Sequence, residues 1–193
     1  MRVIAGKFRS RPLASAVGRN LRPTAGRLRE TLFNVLTAGN PGALERTVWI
    51  DLYAGTGAVG IEAISRGSGM VYFVDSAAQA VDLIRRNLRS LKIDSGFEVM
   101  GQDAVRGLRA LELRATAADF VFLDPPYKMA EEYRSTLHAL SHSTVLKPES
   151  IVMAEHLEKF DPGDAFDSLQ RYRTLEQGDA ALSFYRMGKK ERS

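Results

Sequence analysis

The segment DLYAGTGAVG, residues 51–60, joins an apolar run at residues 48–52 to an amphipathic run at residues 58–65. Its glycines satisfy the pattern G-x-G-x-x-G, in which a buried strand turns sharply into a helix that faces a cofactor. Asp75 closes the next apolar run, at the spacing of an acid that binds ribose hydroxyls. We therefore predict a strand, a glycine loop and a helix here, with a nucleotide-containing cofactor above the loop.

On the C-terminal side of this segment, apolar runs alternate with amphipathic ones. We predict strands at residues 48–52, 70–75, 97–101, 118–123 and 150–155, and helices at residues 58–65, 77–91, 104–113 and 131–140. This alternation indicates βαβ units, so we expect an α/β fold with a mostly parallel sheet covered on both faces. Residues 169–175 and 180–187 are separated by a short turn, which predicts an antiparallel hairpin at one edge. Ligands of such sheets lie beyond the carboxyl ends of the strands.

The N-terminal segment differs from the rest of the chain in charge. Residues 1–40 carry eight basic side chains and one acid, Glu30, a sum of +7; because the whole chain is +4, the remainder sums to −3. Such a local excess indicates either a contact with a polyanion or a solvated basic face, and charge alone leaves both open. Residues 2–5 and 11–14 are predicted to be extended around a turn, and a helix is predicted to follow with Thr24 as its N-cap. The candidate nucleic-acid contacts are Arg2, Lys7, Arg9, Arg11, Arg22, Arg27 and Arg29.

Length and composition limit the class of protein. A chain of 193 residues, 45% of them hydrophobic, is of single-domain size, so we expect one domain with residues 1–40 as an extension of a core at residues 41–193. No apolar run approaches the roughly 20 residues of a membrane span. The sequence has no cysteine for a disulfide or a thiolate metal site. We expect a cytoplasmic monomer without membrane contact.

Two histidines on one predicted helix raise the question of a metal site. His138 and His142 are four residues apart, the spacing of a metal-binding pair on a helix. No third ligand with metal-site spacing follows near them in the sequence. We therefore interpret the pair as a surface or core-edge feature and expect no metal.

The acid at the end of the first predicted strand, Asp51, distinguishes two cofactors. It would repel a pyrophosphate over the helix N-terminus, as in an NAD-dependent oxidoreductase, and attract the ammonium and sulfonium groups of S-adenosylmethionine. Asp75 would then accept hydrogen bonds from ribose hydroxyls and Asp103 from the adenine amino group, although an N-cap is the simpler role for Asp103. The candidate cofactor-binding residues are Thr24, Asp51, Ala54, Gly55, Thr56, Gly57, Asp75, Asp103 and Ala104.

The fourth predicted strand runs directly into Asp124-Pro125-Pro126-Tyr127. An exocyclic amino nitrogen of a base is a poor nucleophile, because its lone pair is delocalised into the ring. Asp124 and the carbonyl of Pro125 could accept its two hydrogens, and the prolines would hold that carbonyl in one direction. Tyr127 could stack on an extruded base. These four residues are the candidate catalytic residues for amino methylation; a surface Pro-Pro turn is the alternative.

The whole set of motifs resembles the RsmD-type 16S ribosomal RNA guanine-N2 methyltransferases. The resemblance is carried by residues 2–7 (RVIAGK), residues 21–33 (LRPTAGRLRETLF), the glycine loop and residues 124–127, in the family's order. It implies a Rossmann-like class I methyltransferase fold with seven strands and a reversed C-terminal strand. It also implies S-adenosylmethionine as cofactor and a guanine of 16S ribosomal RNA, within a small-subunit particle, as target. In such enzymes residues 21–33 would close over the cofactor, with Thr24 near its methionine end.

Three other functions stay open on the sequence. An adenine-N6 or cytosine-N4 DNA methyltransferase would use the same Asp-Pro-Pro-Tyr chemistry, but no separate domain for reading a DNA sequence is evident. An NAD-dependent oxidoreductase would share the glycine loop. A non-catalytic RNA-binding assembly factor could keep the fold and lose the reaction. Glu155 and His156, at the end of the fifth predicted strand, either face the pocket or have a structural role.

Overall fold

A computed structural model describes residues 1–15, 23–126 and 130–188 of the chain. Within these residues the helices are α1 (Pro23–Leu36), α2 (Ala58–Ser65), α3 (Ala78–Ser90), α4 (Ala104–Leu113) and α5 (Ala130–Ser141). The strands are β1 (Val48–Leu52), β2 (Met70–Val74), β3 (Phe97–Met100), β4 (Ala118–Leu123), β5 (Leu146–Leu157), β6 (Ala165–Phe166), β7 (Leu169–Gln177) and β8 (Ala180–Met187). Every helix and strand predicted between residues 48 and 155 is present, with boundaries that differ by a few residues.

The strands form one sheet in the order β3-β2-β1-β4-β5-β8-β7-β6. Strands β1 to β5 pair in parallel, and β8 lies antiparallel between β5 and β7. The predicted mostly parallel α/β sheet with a reversed C-terminal strand is therefore confirmed. The described residues add an eighth strand to the expected seven, because the two residues of β6 pair with the start of β7. A two-residue edge strand carries too short an alternation to be recognised in a sequence.

The two faces of the sheet are covered by different helices. Residues of α1, α2 and α3 pack on one face, and residues of α4 and α5 pack on the other. Trp49 of β1 is fully buried on the first face between Phe33 and Phe120, with ring centroids 5.4 and 5.1 Å away. Trp49 is therefore part of the core on this face of the sheet.

Helix α1 begins earlier than the sequence analysis predicted. Its first residue is Pro23, so Thr24 lies inside the helix and the prediction of Thr24 as N-cap is wrong. Proline is favoured at the first helical position, because its fixed φ suits the helix and its missing N–H would have no intrahelical acceptor there. The residue before Pro23 lies outside the described part of the chain.

The two extended N-terminal pieces pair as predicted, through a single antiparallel bridge between Arg2 and Pro12. The amide of Val3 donates to the carbonyl of Arg11 at 3.0 Å, and the amide of Leu13 donates to Met1 at 2.9 Å. Val3 and Leu13 are buried on the α1–α3 face of the sheet. The resulting N-terminal hairpin, residues 1–14, is therefore attached to the core and does not extend into solvent. Of the helices described, none is both long and apolar enough to cross a membrane.

Candidate functional site

The carboxyl ends of β1 to β4 meet at one edge of the sheet and bring four predicted acids together. Asp51 lies in β1, and Asp75, Asp103 and Asp124 follow β2, β3 and β4. The adjacent strand ends are also hydrogen-bonded beyond the strands, because the amide of Asp75 donates to Met100 at 3.1 Å. The edge is the one at which open α/β sheets bind ligands.

The glycine loop depends on backbone conformations that favour glycine. Gly55 and Gly57 have φ values of 56° and 75°, in the left-handed region. Gly60 has another reason to be glycine: a Cβ there would lie 2.3 Å from a ring carbon of Phe73. Helix α2 can therefore approach β2 closely only without that side chain. The predicted strand, loop and helix are all present at these positions.

Asp51 is almost completely buried, with 2% of its surface exposed. Its Oδ2 accepts a hydrogen bond from the amide of Gly60 at 2.9 Å. Desolvation raises the pKa of Asp51 to about 8, the bond from Gly60 opposes this, and the nearby carboxylate of Asp75 adds to it. A buried carboxylate with a raised pKa is a site that a cationic group would stabilise in its ionised form.

Asp75 holds the glycine loop from the second strand. Its Oδ2 accepts from the amide of Gly55 at 2.8 Å, and its Oδ1 accepts from the amide of Ala77 at 2.9 Å. A carboxylate has about four acceptor positions, so two remain for other donors. Asp75 is therefore fixed in place beside the loop and still able to bind hydroxyl groups.

Asp103 has the simpler of its two predicted roles in the structure. It is the N-cap of α4, and its Oδ1 accepts from the amide of Arg106 at 2.9 Å. Its Oδ2 lies 3.3 Å from Nε of the same exposed arginine. Ala104, the next predicted cofactor contact, is buried at the start of α4. Contact of either residue with an adenine stays a prediction.

Asp124 continues β4 at the position next to the glycine loop. In the sheet register Leu52, Leu123 and Ala154 are neighbours, so Asp124 follows β4 beside Tyr53 and Glu155. Asp124 is half-buried, Pro125 is buried and Pro126 is exposed. Tyr127, the fourth predicted catalytic residue, lies outside the described residues.

A buried tyrosine that the sequence analysis missed contacts this motif. The hydroxyl of Tyr133, on α5, lies 3.3 Å from the carbonyl oxygen of Pro125 and 2.8 Å from that of Glu155. Tyr133 is fully buried. Helix α5 thus sets the direction of the Pro125 carbonyl relative to β5. Only the helical spacing of apolar residues marked Tyr133 in the sequence, and that pattern indicates packing and not hydrogen bonding.

The glycine loop is attached to the same helix by a second tyrosine. Tyr53 has a φ of 59°, and its hydroxyl donates to Glu132 at 2.8 Å and lies 2.7 Å from Oγ1 of Thr136. Burial is the main cause that raises the pKa of Tyr53 above its ordinary value, so the hydroxyl keeps its proton. The loop after β1 and the motif after β4 are therefore both fixed to α5.

The N-terminal hairpin is attached to α2 by buried polar side chains. Glu62, with no exposed surface, accepts from the amides of Ile4 and Ala5 at 2.7 and 2.9 Å. Ser65 accepts from the amide of Phe8 at 3.0 Å. An acid inside the apolar helix sequence AVGIEAIS was a signal that the sequence analysis did not use. The turn of the hairpin, at Phe8, is thus held at the last residue of α2, one helix length from the glycine loop in which α2 begins.

Most of the predicted nucleic-acid contacts lie on the surface. The exposed members of the set are Arg2, Lys7, Arg9, Arg11 and Arg27. Arg22 lies outside the described residues. The backbone of Thr24, a predicted cofactor contact, lies in α1, and its side chain lies outside the described part of the chain. The exposed hairpin side chains together form a basic surface at one side of the site.

Arg29 is a correction to that set. It is 6% exposed, and its guanidinium donates to the carbonyl of Arg2 at 2.6 Å. Burial lowers its pKa, while the carboxylates of Glu62 and Glu155 raise it. Arg29 holds the first residues of the hairpin against α1 and is not available to a phosphate. Counting charges along the sequence cannot separate a buried arginine from exposed ones.

Helix α3 adds basic residues that the sequence analysis did not single out. Arg86 and Arg11 line one cavity of about 390 Å³ between the hairpin and α3. Arg85 and Arg89, on the same helix, are exposed as well. The net charge of residues 41–193 is −3, because acids elsewhere in that range outnumber these arginines, so the charge sum gave no sign of a basic helix. The basic surface therefore extends from the hairpin onto α3.

His156 has a structural role. It is buried, its Nε2 lies 2.9 Å from Oγ of Ser183 on β8, and its Nδ1 lies 2.8 Å from the carbonyl of Leu157. Burial is the main cause that lowers its pKa. The contact with Ser183 joins β5 to β8, so the structural alternative for His156 holds.

The sheet order and the site together define the class of protein. A parallel sheet of order β3-β2-β1-β4-β5 continued by a reversed strand, with a glycine loop after β1, is the class I methyltransferase fold. The solved structure of the yhhF protein of Escherichia coli has this fold, with a TM-score of 0.80 and 28% identity over 97% of both chains. The sequence profile of the family described as "Conserved hypothetical protein 95" matches residues 1–186. The chain belongs to this family, and the resemblance to the RsmD-type methyltransferases is confirmed.

Two relatives illustrate the extent of the match. YlbH of Bacillus subtilis strain 168 is 31% identical over 186 residues, which are 96% of this chain and 98% of the relative. A Haemophilus influenzae protein named ribosomal RNA small subunit methyltransferase D is 33% identical over 158 residues, 80% of this chain and 78% of the relative. The likeness therefore spans the N-terminal hairpin and the core alike.

Proposed function

We propose that this protein transfers a methyl group from S-adenosylmethionine to the exocyclic N2 amino group of a guanine in 16S ribosomal RNA. The observation that carries the proposal is the position of Asp124 and Pro125 at the end of β4, next to the glycine loop after β1. A relative that is named a ribosomal RNA small subunit methyltransferase supports the choice of RNA. The exposed basic surface beside the site agrees with it.

The residues in and beside the glycine loop fit the proposed cofactor. When bound, S-adenosylmethionine supplies an electrophilic methyl group on a sulfonium. The buried carboxylate of Asp51 favours a cationic ligand, because burial has raised its pKa to about 8 and a positive charge would offset that cost. Asp75 keeps acceptor positions for ribose hydroxyls. Ala54, Thr56 and Gly57 complete the loop on which the cofactor would lie.

The Asp-Pro-Pro segment would prepare the amino group for reaction. The carboxylate of Asp124 and the carbonyl of Pro125 accept the two amino hydrogens, which frees the nitrogen lone pair to form the new carbon–nitrogen bond. The nitrogen then gives up one proton, and Asp124 is the acceptor at hand. The hydroxyl of Tyr133 lies 3.3 Å from the Pro125 carbonyl oxygen, and because such an oxygen has two acceptor positions, one would serve the base. Tyr127 is proposed as the face on which the base stacks.

The basic surface would position the RNA. Phosphate contacts carry most of the affinity of such complexes and fix orientation, but they carry no base specificity. Arg2, Lys7, Arg9 and Arg11 are exposed on a hairpin that is rigidly joined to α2. RNA bound there would reach the carboxyl edge of the sheet at a fixed distance from Asp124.

The test is methyl transfer from radiolabelled S-adenosylmethionine to 16S ribosomal RNA and to small-subunit particles that lack the modification, followed by nucleoside analysis. We expect labelled N2-methylguanosine. Labelled N6-methyladenosine would keep the chemistry and reject the target base. Label in double-stranded DNA offered as a parallel substrate, with none in RNA, would favour a DNA methyltransferase. Tight RNA binding with no label would favour an assembly factor.

Asp124→Ala separates catalysis from cofactor binding. We expect turnover to fall by at least about 10²-fold, the contribution of a positioned acceptor in proton transfer. The dissociation constant for S-adenosylmethionine should stay within about twofold, because Asp124 follows a different strand from the cofactor-binding acids. Binding of NADH in place of S-adenosylmethionine would reject the methyltransferase proposal and favour an oxidoreductase.

A further inference from the structure

Two histidines and an acid form a cluster on the surface. The cluster lies at the end of α5 that is remote from the Asp-Pro-Pro segment. His138 and His142 lie on successive turns near the end of α5. The turn between β6 and β7 places Asp167 against them, although it follows His142 by 25 positions in the sequence. No third ligand is evident near this pair in the sequence, because the fold brings Asp167 to it. His138 lies about 12 Å along the helix from Ala130, so the cluster is distinct from the candidate site.

The spacing of the three side chains fits a metal ion. Nδ1 of His138 lies 3.1 Å from Oδ2 of Asp167, and Nε2 of His142 lies 3.6 Å from the same oxygen. One ligand atom from each residue lies within 4.8 Å of the other two. Two ligands about 2.0–2.1 Å from a tetrahedral zinc ion are about 3.3 Å apart. The two nitrogen–oxygen distances lie on either side of that value, and the two nitrogens lie within 4.8 Å of each other.

The ring of His142 is already turned for coordination. Its Nδ1 lies 3.1 Å from the backbone carbonyl oxygen of His138. A carbonyl can only accept, so in the tautomer that donates from Nδ1 to this carbonyl, Nε2 keeps its lone pair toward Asp167. Oγ of Ser141 also lies 3.1 Å from Nδ1. Metal-binding histidines are commonly oriented in this way, by a second ring nitrogen that donates to a backbone carbonyl.

The acid is held by the turn that carries it. Asp167 has a φ of 43°, in the left-handed region, which aspartate adopts more readily than most residues. The neighbouring Ser168 hydroxyl donates to the backbone carbonyl of Ser141. This bond joins the β6–β7 turn to the last residue of α5. The acid and the histidine pair therefore have a fixed separation.

We propose that His138, His142 and Asp167 bind one divalent transition-metal ion, with zinc as the reference ion and water at the remaining position. Two imidazoles and one carboxylate suit zinc, which accepts nitrogen and oxygen ligands in an open tetrahedral site. The three side chains are between 55% and 66% exposed, so the ion has a direct path from solvent. Bound metal would link α5 to the β6–β7 turn at the edge of the sheet.

The experiment is zinc titration of the untagged full-length protein, followed by calorimetry or by competition with a chromophoric chelator. We expect one saturable site per chain and a higher melting temperature with zinc. His142→Ala should weaken binding by at least about tenfold, because even changes outside the ligand set cost 10–100-fold in metal affinity. Asp167→Asn should also weaken it, and asparagine tolerates the left-handed backbone at this position.

The matched control is Asp94→Asn, which removes an exposed acid from the turn after α3. It should leave the zinc affinity unchanged. Absence of saturable binding in the wild-type protein would overturn the proposal. So would binding that is equal in the wild type, His142→Ala and Asp167→Asn, since the ion would then lie elsewhere.

Discussion

The side-chain nitrogen Nδ2 of Asn87, on α3, donates to the carbonyl of Thr56 in the glycine loop at 2.9 Å. The same side chain forms a pair of hydrogen bonds with the backbone of Ala14. Asn87 is 1% exposed. One buried side chain therefore joins the N-terminal hairpin, which carries the exposed basic residues, to the loop proposed to hold the cofactor.

Asn87→Ala should destabilise the protein and weaken both binding functions. The substitution leaves polar groups of Ala14 and Thr56 without a partner in the interior, and each such group costs about 1–3 kcal/mol. We expect the free energy of unfolding in urea to fall by about 2 kcal/mol or more, and the dissociation constants for cofactor and RNA both to rise. Asn40→Ala, at an exposed turn, is the control and should cost less than about 1 kcal/mol. Equal losses in the two variants would contradict the role given to Asn87.

Tyr133→Phe should lower kcat without changing cofactor affinity. The substitution keeps the buried ring and removes the hydroxyl that lies on the carbonyls of Pro125 and Glu155. A hydrogen bond of this kind contributes about 1 kcal/mol, so we expect a loss of roughly fivefold in kcat and of about 1 kcal/mol in stability. Steady-state methyl transfer and urea unfolding measure the two effects.

Tyr185→Phe is a matched control for this change. The hydroxyl of Tyr185 is also bonded to a backbone carbonyl, that of Gly163, at 2.8 Å, but on β8 and away from the Asp-Pro-Pro segment. It should cost similar stability and leave kcat unchanged. If both variants lower kcat equally, Tyr133 acts through stability alone.

Cofactor affinity should depend on pH through Asp51. The pKa of Asp51 is raised to about 8 in the free protein, so below that pH the carboxyl is protonated and must lose a proton to bind a cation. Affinity for S-adenosylmethionine should therefore rise with pH, by up to about tenfold per unit, and level off above about pH 8. Calorimetry in buffers of different ionisation enthalpy measures both the affinity and the proton released.

Asp51→Asn should remove most of that pH dependence and bind the cofactor more weakly at pH values above about 8. The same raised pKa makes the cofactor-free wild type lose stability as the pH rises from about 4 to about 8, because its unfolded state ionises first. Over that pH range the Asp51→Asn variant should lose less stability than the wild type does. A wild-type affinity that is flat across this interval would reject the role of Asp51.

RNA affinity should depend on salt through the hairpin and α3 together. Arg86→Gln removes one exposed cation beside Arg11, and each phosphate contact contributes about 0.7–0.9 to the slope of log affinity against log salt. We expect that slope to become less steep by about one contact, with weaker binding at low salt. Arg109→Gln, an exposed change on α4 at the opposite face of the sheet, should have no effect on the slope. If log affinity falls with log salt equally steeply in Arg86→Gln and in the wild type, Arg86 makes no phosphate contact and the RNA surface does not include this position of α3.

The sequence allowed the core and the order of the site residues to be predicted because the periodic signals there are local. The glycine loop, Asp75 and the Asp-Pro-Pro segment each follow an apolar run, and parallel strands bring their ends together. The start of α1 was missed, because Pro23 and Thr24 both carry signals of a helix start. The burial of Arg29 and the contact of Asp167 with His138 depend on partners distant in the sequence, which no local pattern contains.

The attachment of the N-terminal hairpin fixes the order in which this chain can fold during its synthesis. Ile4 and Ala14 find their partners Glu62 and Asn87 only 58 and 73 residues later. The hairpin can therefore bond to itself early, but its attachment to Asn87 is complete only once α3 has been translated. The last strand, β8, enters between β5 and β7, so a chain that stops before Ala180 would leave the edge of β5 open to pairing with other chains. Completion of the sheet thus depends on β8, the last of the described strands in chain order.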